Sequence, residues 1–168
     1  NVLDTGGKPL VAWTIEAAQK AHCITKVILS SDNAEIISVA KKFGCDVPFI
    51  RPDLLATDSA STVDVALHSL DQMPGYEFLI ILQPTSPLRT AVDIDAAFDV
   101  MMSSGALSCV SVCKVDETPY WMFSIRENGQ LDRLINLPLF RCKESLHLLY
   151  CSKQYIIFIV SSTSYNIK

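Results

Sequence analysis

Phe78 to Leu82 (FLIIL) is apolar at every position and runs directly into Gln83 to Thr90 (QPTSPLRT), a stretch with two prolines. A strand without polar alternation is one buried on both faces, as in the middle of a parallel sheet. Each proline fixes φ and removes a backbone donor, so the residues that follow can continue neither as strand nor as helix. The chain must therefore fold around a buried strand that opens abruptly into a stiff, polar loop.

The rest of the sequence alternates in the same way. Pro9 suits the first turn of a helix, and Leu10, Trp13, Ala17 and Ala21, flanked by Val11, Ile15 and Ala18, give that helix a wide apolar face. Lys26 to Ser30 (KVILS) reads as a short buried strand and Asp46 to Ile50 as another. Between them, Asn33 caps a helix in which Ile36, Ala40 and Phe43 share a face, closed by Gly44. Ser61 and Asp64 form a near capping box for a third helix with Val63, Ala66, Leu67 and Leu70 inward. Thr90 and Asp93 open a fourth, carrying Ile94, Ala97, Phe98 and Met101 at helical spacing. Leu107 to Val115 is expected as one more strand, and Asn128-Gly129 as the turn of a hairpin joining Trp121–Arg126 to Leu131–Ile135.

Strands alternating with helices predict an α/β fold. The expected form is a three-layer α/β/α domain around a mostly parallel, doubly wound sheet, with a small antiparallel hairpin after the fourth helix. The 168 residues suffice for one core. A net charge of −4 argues against a nucleic-acid platform but not against a small anion bound in one cleft. No apolar run approaches the roughly 20 residues of a membrane span. The first residues show no basic segment followed by an apolar one, so no secretory signal is expected and a cytoplasmic protein is the default. The six cysteines form no C-x-x-C pair and no metal spacing, and read as buried thiols.

Ligands of open parallel sheets bind beyond the carboxyl ends of the strands. The polar loops obey that rule: Ser30-Ser31-Asp32 follows KVILS, Arg51 follows DVPFI, Gln83 to Arg89 follows FLIIL, and Asp116 to Trp121 follows the strand ending at Val115. The QPTSPLR loop combines a stiff backbone with amide, hydroxyl and guanidinium groups, a set suited to a polyhydroxylated, carboxylated ligand. Equally, it could be a rigid turn whose hydroxyls cap the next helix.

QPTSPLRT after an apolar strand resembles the signature loop of the CMP-sialic acid synthetases (acylneuraminate cytidylyltransferases). GGKPL followed by WTIEAA, SSD at 30–32, RPDLLATDSAS at 51–61 and VSVCKVDETPYWMF resemble further segments of that family, over about residues 1 to 135. The resemblance implies a nucleotide-diphospho-sugar transferase-like fold. It also implies transfer of CMP from CTP to the anomeric hydroxyl of sialic acid, with release of pyrophosphate and with Mg2+ as cofactor. Legionaminic or another nonulosonic acid is the alternative substrate.

By position, Asn1 would contact the cytidine part, and Arg51, Ala60, Ser61 and Thr62 would recognise the base. Gln83 and Thr85 would hold the sugar acid, with Ser86 and Arg89 supporting their loop, and Arg141 matches a family arginine. Ser61 serves equally well as a helix cap. Arg51, standing before a proline, also reads as an ordinary solvated charge.

The ends depart from the pattern. Asn1 matches the residue closing the family's first nucleotide motif, so the first strand and the triphosphate-binding cations are expected to be absent. Residues 136–168 read as a divergent tail after a core at 1–135, without the family's metal-binding D-x-D and its dimerisation segment. Asp93-Ile94-Asp95 has the D-x-D form, but it lies in a helix's first turn, where the dipole favours carboxylates. The family implies a homodimer, and an unpaired Tyr155 to Val160 would be an aggregation hazard, so a partner strand or chain is expected. An inactive nucleotide- or sugar-binding remnant is the competing reading. A flavodoxin-like regulatory module fits the pattern but leaves QPTSPLR unexplained.

Overall fold

The computed structural model describes the backbone of residues 1–114, 123–133, 150–151 and 157–161, and the side chains of residues 1–112 and 123–132. The chain divides into one unit of Asn1–Ser111 with Gln154–Lys168 and a second of Val112–Lys153.

In the first unit, α1 (Leu10–Lys20) is the central helix. Its first turn has no side-chain cap. Instead the carbonyls of Asn1 and Leu3 accept from Val11 N and Leu10 N, both at 3.0 Å. The preceding loop is fastened to the helix by Trp13 Nε1, which donates to the Thr5 carbonyl at 2.7 Å. Lys8 lies over the Trp13 ring, 3.7 Å from its centre, and pairs with Glu16. Lys8 therefore helps to fasten the loop to α1.

Helix α1 buries both flanks. Val11 and Ile15 pack with Ala40 of α2 (Ala34–Lys42) and with Cys45, while Ala17 and Ala21 pack with Ile94 and Met101 of α4 (Ala91–Ser104). Ile94 and Met101 are almost fully enclosed, and each such side chain contributes roughly 1.5–3 kcal/mol of transfer free energy. The helix starts fall where the caps predict. Asn33 Oδ1 accepts from Glu35 N and Ile36 N at 3.0 Å, and Ser61 Oγ accepts from Val63 N at 3.1 Å to begin α3 (Thr62–Gln72). Thr90 and Asp93 exchange a complete capping box. One inward assignment fails: Val63 is 49% exposed, because as second residue of α3 it precedes the turn that carries Ala66 and Leu67.

The expected strands at 26–30 and 46–50 shrink to a single parallel bridge, Ile28 to Asp46. Leu29 N donates to the Asp46 carbonyl at 2.9 Å and Asp46 N to the Val27 carbonyl at 3.3 Å. The next donor in this register would be Pro48, which has no N–H, so the ladder stops. It resumes as one bond at Arg51 N, which donates to the Ser31 carbonyl at 3.1 Å.

β1 (Phe78–Leu82) forms where a strand was expected, but it is half-buried and stands at the edge of the described sheet instead of at its centre, with a neighbour from the far end of the chain. β7 (Ile157–Ser161) lies between β1 and β2 (Ser108–Val110), antiparallel to both, with Ile80 opposite Ile159 and Cys109 opposite the same residue. The apolar tail thus has strand partners within its own chain, and the described sheet is antiparallel around it. The strand expected at Leu107–Val115 is split, because Ser108–Val110 pairs with β7 while β3 (Cys113–Lys114) pairs with β6 (Tyr150–Cys151) in the second unit.

That second unit also holds the hairpin, β4 (Phe123–Ile125) against β5 (Leu131–Arg133). Its turn runs through Asn128 and Gly129, the glycine at φ 80°, and Arg126 pairs with Asp132 across it. The outer hairpin positions expected at 121–122 and 134–135 lie outside the described residues.

Candidate functional site

Two hydrogen-bonded clusters form just beyond apolar segments. The first joins Ser30, at the end of KVILS, to Arg51. Arg51 Nε donates to Ser30 Oγ at 3.1 Å and Nη2 donates to the Ser30 carbonyl. Just beyond, buried Ser31 accepts through Oγ from Asn33 N at 3.2 Å, so the turn is held from the α2 side as well. The loop leaving Arg51 passes through a 3-10 turn at Asp53–Leu55 and a Thr57–Ala60 turn (Ala60 N to the Thr57 carbonyl, 3.0 Å) before α3. The Phe49 and His68 rings stand nearly perpendicular with centres 5.1 Å apart, which sets α3 beside the segment that delivers Arg51.

The second cluster is the QPTSPLR loop itself. Ser86 N donates to the Gln83 carbonyl and Arg89 N to the Ser86 carbonyl, both at 3.3 Å, giving two successive turns. Arg89 is 3% exposed, and its Nη2 donates to the same Gln83 carbonyl at 3.0 Å. Burial lowers its pKa from the ordinary arginine value, with Asp93 opposing the shift. Its Nε and Nη1 are buried without a partner among the described residues. Ser86 is buried beneath the loop, whereas Gln83 is half-buried and Thr85 exposed. Loop and helix cap are both present, since Thr90 caps α4 at the loop's end.

Of the other expected site residues, Ser61 caps α3 with its hydroxyl, and Thr62 beside it and Asn1 are exposed. Ala60 is half-buried in the turn before them. Arg141 lies outside the described residues. Among the described residues, no hydrogen bond joins the Arg51 cluster to the Gln83 cluster. A cavity of about 510 Å³ lies among α1, Lys26–Leu29, α3 and Phe78–Leu82 and reaches Pro84 of the second cluster's loop, although none of the expected site residues lines it. Sequence reasoning missed Ser30 as a partner of Arg51. The only signal was that each stands at the end of an expected strand, which says that two loops are neighbours but not which atoms bond.

Among the described residues no three His, Cys, Asp or Glu side chains stand close enough to hold a metal. Asp93 is used in the α4 capping box, and Asp95 accepts from His22 N at 3.1 Å and Cys23 N at 2.9 Å. Those two backbone bonds, Cys23's first, lower the Asp95 pKa, and burial followed by Asp95 pushes the Cys23 thiol up to about 12. No described helix is long and apolar enough to cross a membrane.

Known proteins resemble this chain in fold and in sequence. The chain superimposes on a CMP:2-keto-3-deoxy-manno-octonic acid synthetase solved with CTP at TM-score 0.61, with 16% identity, covering 95% of this chain and 66% of that one. It matches a 4-diphosphocytidyl-2C-methyl-D-erythritol synthase from Anaerococcus prevotii at TM-score 0.64, with 12% identity over 96% of this chain and 63% of that one. Both show an α/β fold. In sequence it is 34% identical to the CMP-N,N'-diacetyllegionaminic acid synthase of Legionella pneumophila, over 89% of this chain and 63% of that protein. It is 37% identical to an N-acylneuraminate cytidylyltransferase of Escherichia coli over 66% of this chain and 26% of that protein. The chain therefore spans less than two thirds of the length of these relatives. The family profile described as Cytidylyltransferase matches residues 1–124, a span that holds Ser30, Arg51, the 57–62 turn and the whole Gln83–Arg89 loop. This chain belongs to the cytidylyltransferase family.

Proposed function

We propose that the chain binds CTP and a nonulosonic acid for the transfer of CMP from one to the other. The anomeric hydroxyl oxygen of the acid attacks the α-phosphorus of CTP and gives up its proton. The bond from that phosphorus to the bridging oxygen breaks, and pyrophosphate leaves. Arg51, with Asn1 and the Ala60–Thr62 turn, takes the cytidine part. Gln83 and Thr85 take the acid, held in place by Ser86 and Arg89, and Arg141 completes the set. The observation that carries this reading is that both polar clusters fall inside the span shared with the family.

Sialic acid is the substrate this reading favours. The Legionella relative, named for N,N'-diacetyllegionaminic acid and matched over 89% of the chain, supports that acid as the second. Developing charge on the phosphate oxygens calls for cations already in place, and the assay includes magnesium, as the resemblance implies.

Calorimetric titration with CTP, UTP and each acid is the direct test, with pyrophosphate release followed in parallel. CTP should bind more tightly than UTP, with Kd below about 1 mM (roughly −4 kcal/mol), and one acid should bind or be consumed in preference to the other. Absence of CTP binding together with absence of acid-dependent pyrophosphate overturns the reading.

A further inference from the structure

We infer that Ser30 is a positioning residue for base selection: it holds the Arg51 guanidinium so that its free edge accepts cytosine and rejects uracil. The inference rests on the reading that Arg51 meets the base. Guanidinium is a planar fork with five N–H donors in fixed directions. Nε and Nη2 share its lateral edge, and both donate to Ser30, Nε to Oγ at 3.1 Å and Nη2 to the carbonyl. Backbone motion of Arg51 is checked at the same place by its N–H on the Ser31 carbonyl at 3.1 Å. A rigid plane held at two points on one edge has lost its swing.

What remains is the terminal edge, formed by Nη1 and the second hydrogen of Nη2. Nη1 has no hydrogen-bond partner among the described residues, and Arg51 is half-exposed, so this edge is open to a ligand. Two parallel N–H groups match two adjacent acceptors. Among pyrimidines, cytosine presents such a pair, O2 and unprotonated N3. Uracil carries a hydrogen on N3, which would face a donor with a donor and leave both unpaired. Selection by this edge works only while its direction is fixed, because a swinging guanidinium could reach a uracil carbonyl alone. The carbonyl of residue 30 is available whatever its side chain, so the hydroxyl is the part of the clamp that sequence controls.

The test is titration with CTP, UTP and sialic acid of the unaltered chain and of Ser30→Ala, Ser30→Thr and Arg51→Ala. Ser30→Ala should lower CTP affinity by about tenfold, as expected for loss of one such hydrogen bond, and narrow the CTP-to-UTP ratio by a similar factor. Affinity for the acid should not change. Ser30→Thr, which keeps a hydroxyl, should restore the ratio to within about threefold. A merely structural serine would weaken all three ligands together and leave the ratio intact, and that pattern overturns the inference. If Ser30→Ala does not fold, Ser30→Cys has similar size but a poor acceptor, and an undiminished ratio there overturns it equally. Arg51→Ala separates the two levels. An Arg51→Ala protein that still prefers CTP refutes the reading of Arg51 and this inference with it. Loss of preference in Arg51→Ala alongside an intact ratio in Ser30→Ala refutes only the role of Ser30.

Discussion

Arg51 and Arg89 both follow apolar segments and both grip a backbone carbonyl near the end of one, yet they stand in opposite situations. Arg51 is half-exposed, is held along one edge by Ser30, and turns its other edge outward. Arg89 is enclosed beneath its own loop, fastens the Gln83 carbonyl from below, and has two donors without described partners. The first arrangement leaves hydrogen-bonding capacity facing a ligand, and the second spends the charge inside the fold. A buried charge with few partners is costly, so Arg89 is kept for what it does to the loop. The same residue type is a recognition group in one cluster and a scaffold in the other, and only burial and bonding tell them apart.

Replacing each arginine by alanine is the strongest way to break that comparison. Arg89→Ala should cost about 2–4 kcal/mol of stability, since it empties an enclosed volume and removes one of the two donors to the Gln83 carbonyl. Arg51→Ala should cost less than about 1 kcal/mol of stability while removing CTP preference. Urea denaturation of both variants checks it. Equal destabilisation would mean that Arg51 too is scaffold.

Gln83→Ala sharpens the second cluster. Its carbonyl is occupied by Ser86 N and Arg89 Nη2, but its side-chain amide makes no hydrogen bond among the described residues. Truncation should therefore spare the fold and weaken the acid by about 1–3 kcal/mol, the cost of leaving its partners unpaired, with CTP affinity unchanged. Steady-state kinetics or titration with each ligand varied in turn decides. Equal losses, or a loss confined to CTP, would show that the loop serves the nucleotide.

How much of this could be read from sequence follows from the range of each interaction. Asn33, Ser61 and Thr90 were legible as helix starts because a cap bonds two or three residues ahead. FLIIL and the Asn128-Gly129 turn were legible for the same local reason. The place of β7 was not, because an all-apolar strand such as IFIVS fits beside any apolar neighbour, and only the folded chain shows it between Phe78–Leu82 and Ser108–Val110. Pro48 was visible in the sequence, but its effect depended on register: it stops the ladder because it falls where a donor to strand 26–30 was due. The Ser30–Arg51 clamp joins residues whose neighbours in sequence say nothing of each other.

Ser61 is the residue in which the two kinds of work coincide, and the expected effect is smaller. Its hydroxyl accepts from Val63 N, so Ser61→Ala should cost about 1 kcal/mol of stability and Ser61→Gly only a few tenths. If the turn meets the nucleotide through backbone N–H groups at the start of α3, CTP affinity should follow the cap and fall more in Ser61→Ala than in Ser61→Gly. Thermal unfolding paired with CTP titration compares them. Equal CTP losses in the two variants would assign the hydroxyl to the ligand and not to the helix.

The smallest effect belongs to Asp95, a half-buried residue on the same helix that Arg89 leads into. It accepts from Cys23 N and His22 N and so ties α4 to the turn after α1, away from both clusters. Those bonds favour the charged form, so the folded pKa lies below the ordinary value of 3.8. A lowered carboxylate pKa adds stability that is fully present above the unfolded value and is lost as pH falls through the folded one. Asp95→Asn keeps a carbonyl acceptor but not the charge, so the unaltered chain should melt at a higher temperature from pH 5 upward, by a constant margin. That margin should close as the pH drops below 3.8. Melting curves at a series of pH values in moderate salt measure it, with CTP titration at neutral pH as the control. A margin that persists unchanged below the folded pKa would show that the charge contributes nothing, and a fall in CTP affinity in Asp95→Asn would move this carboxylate from the scaffold into the site.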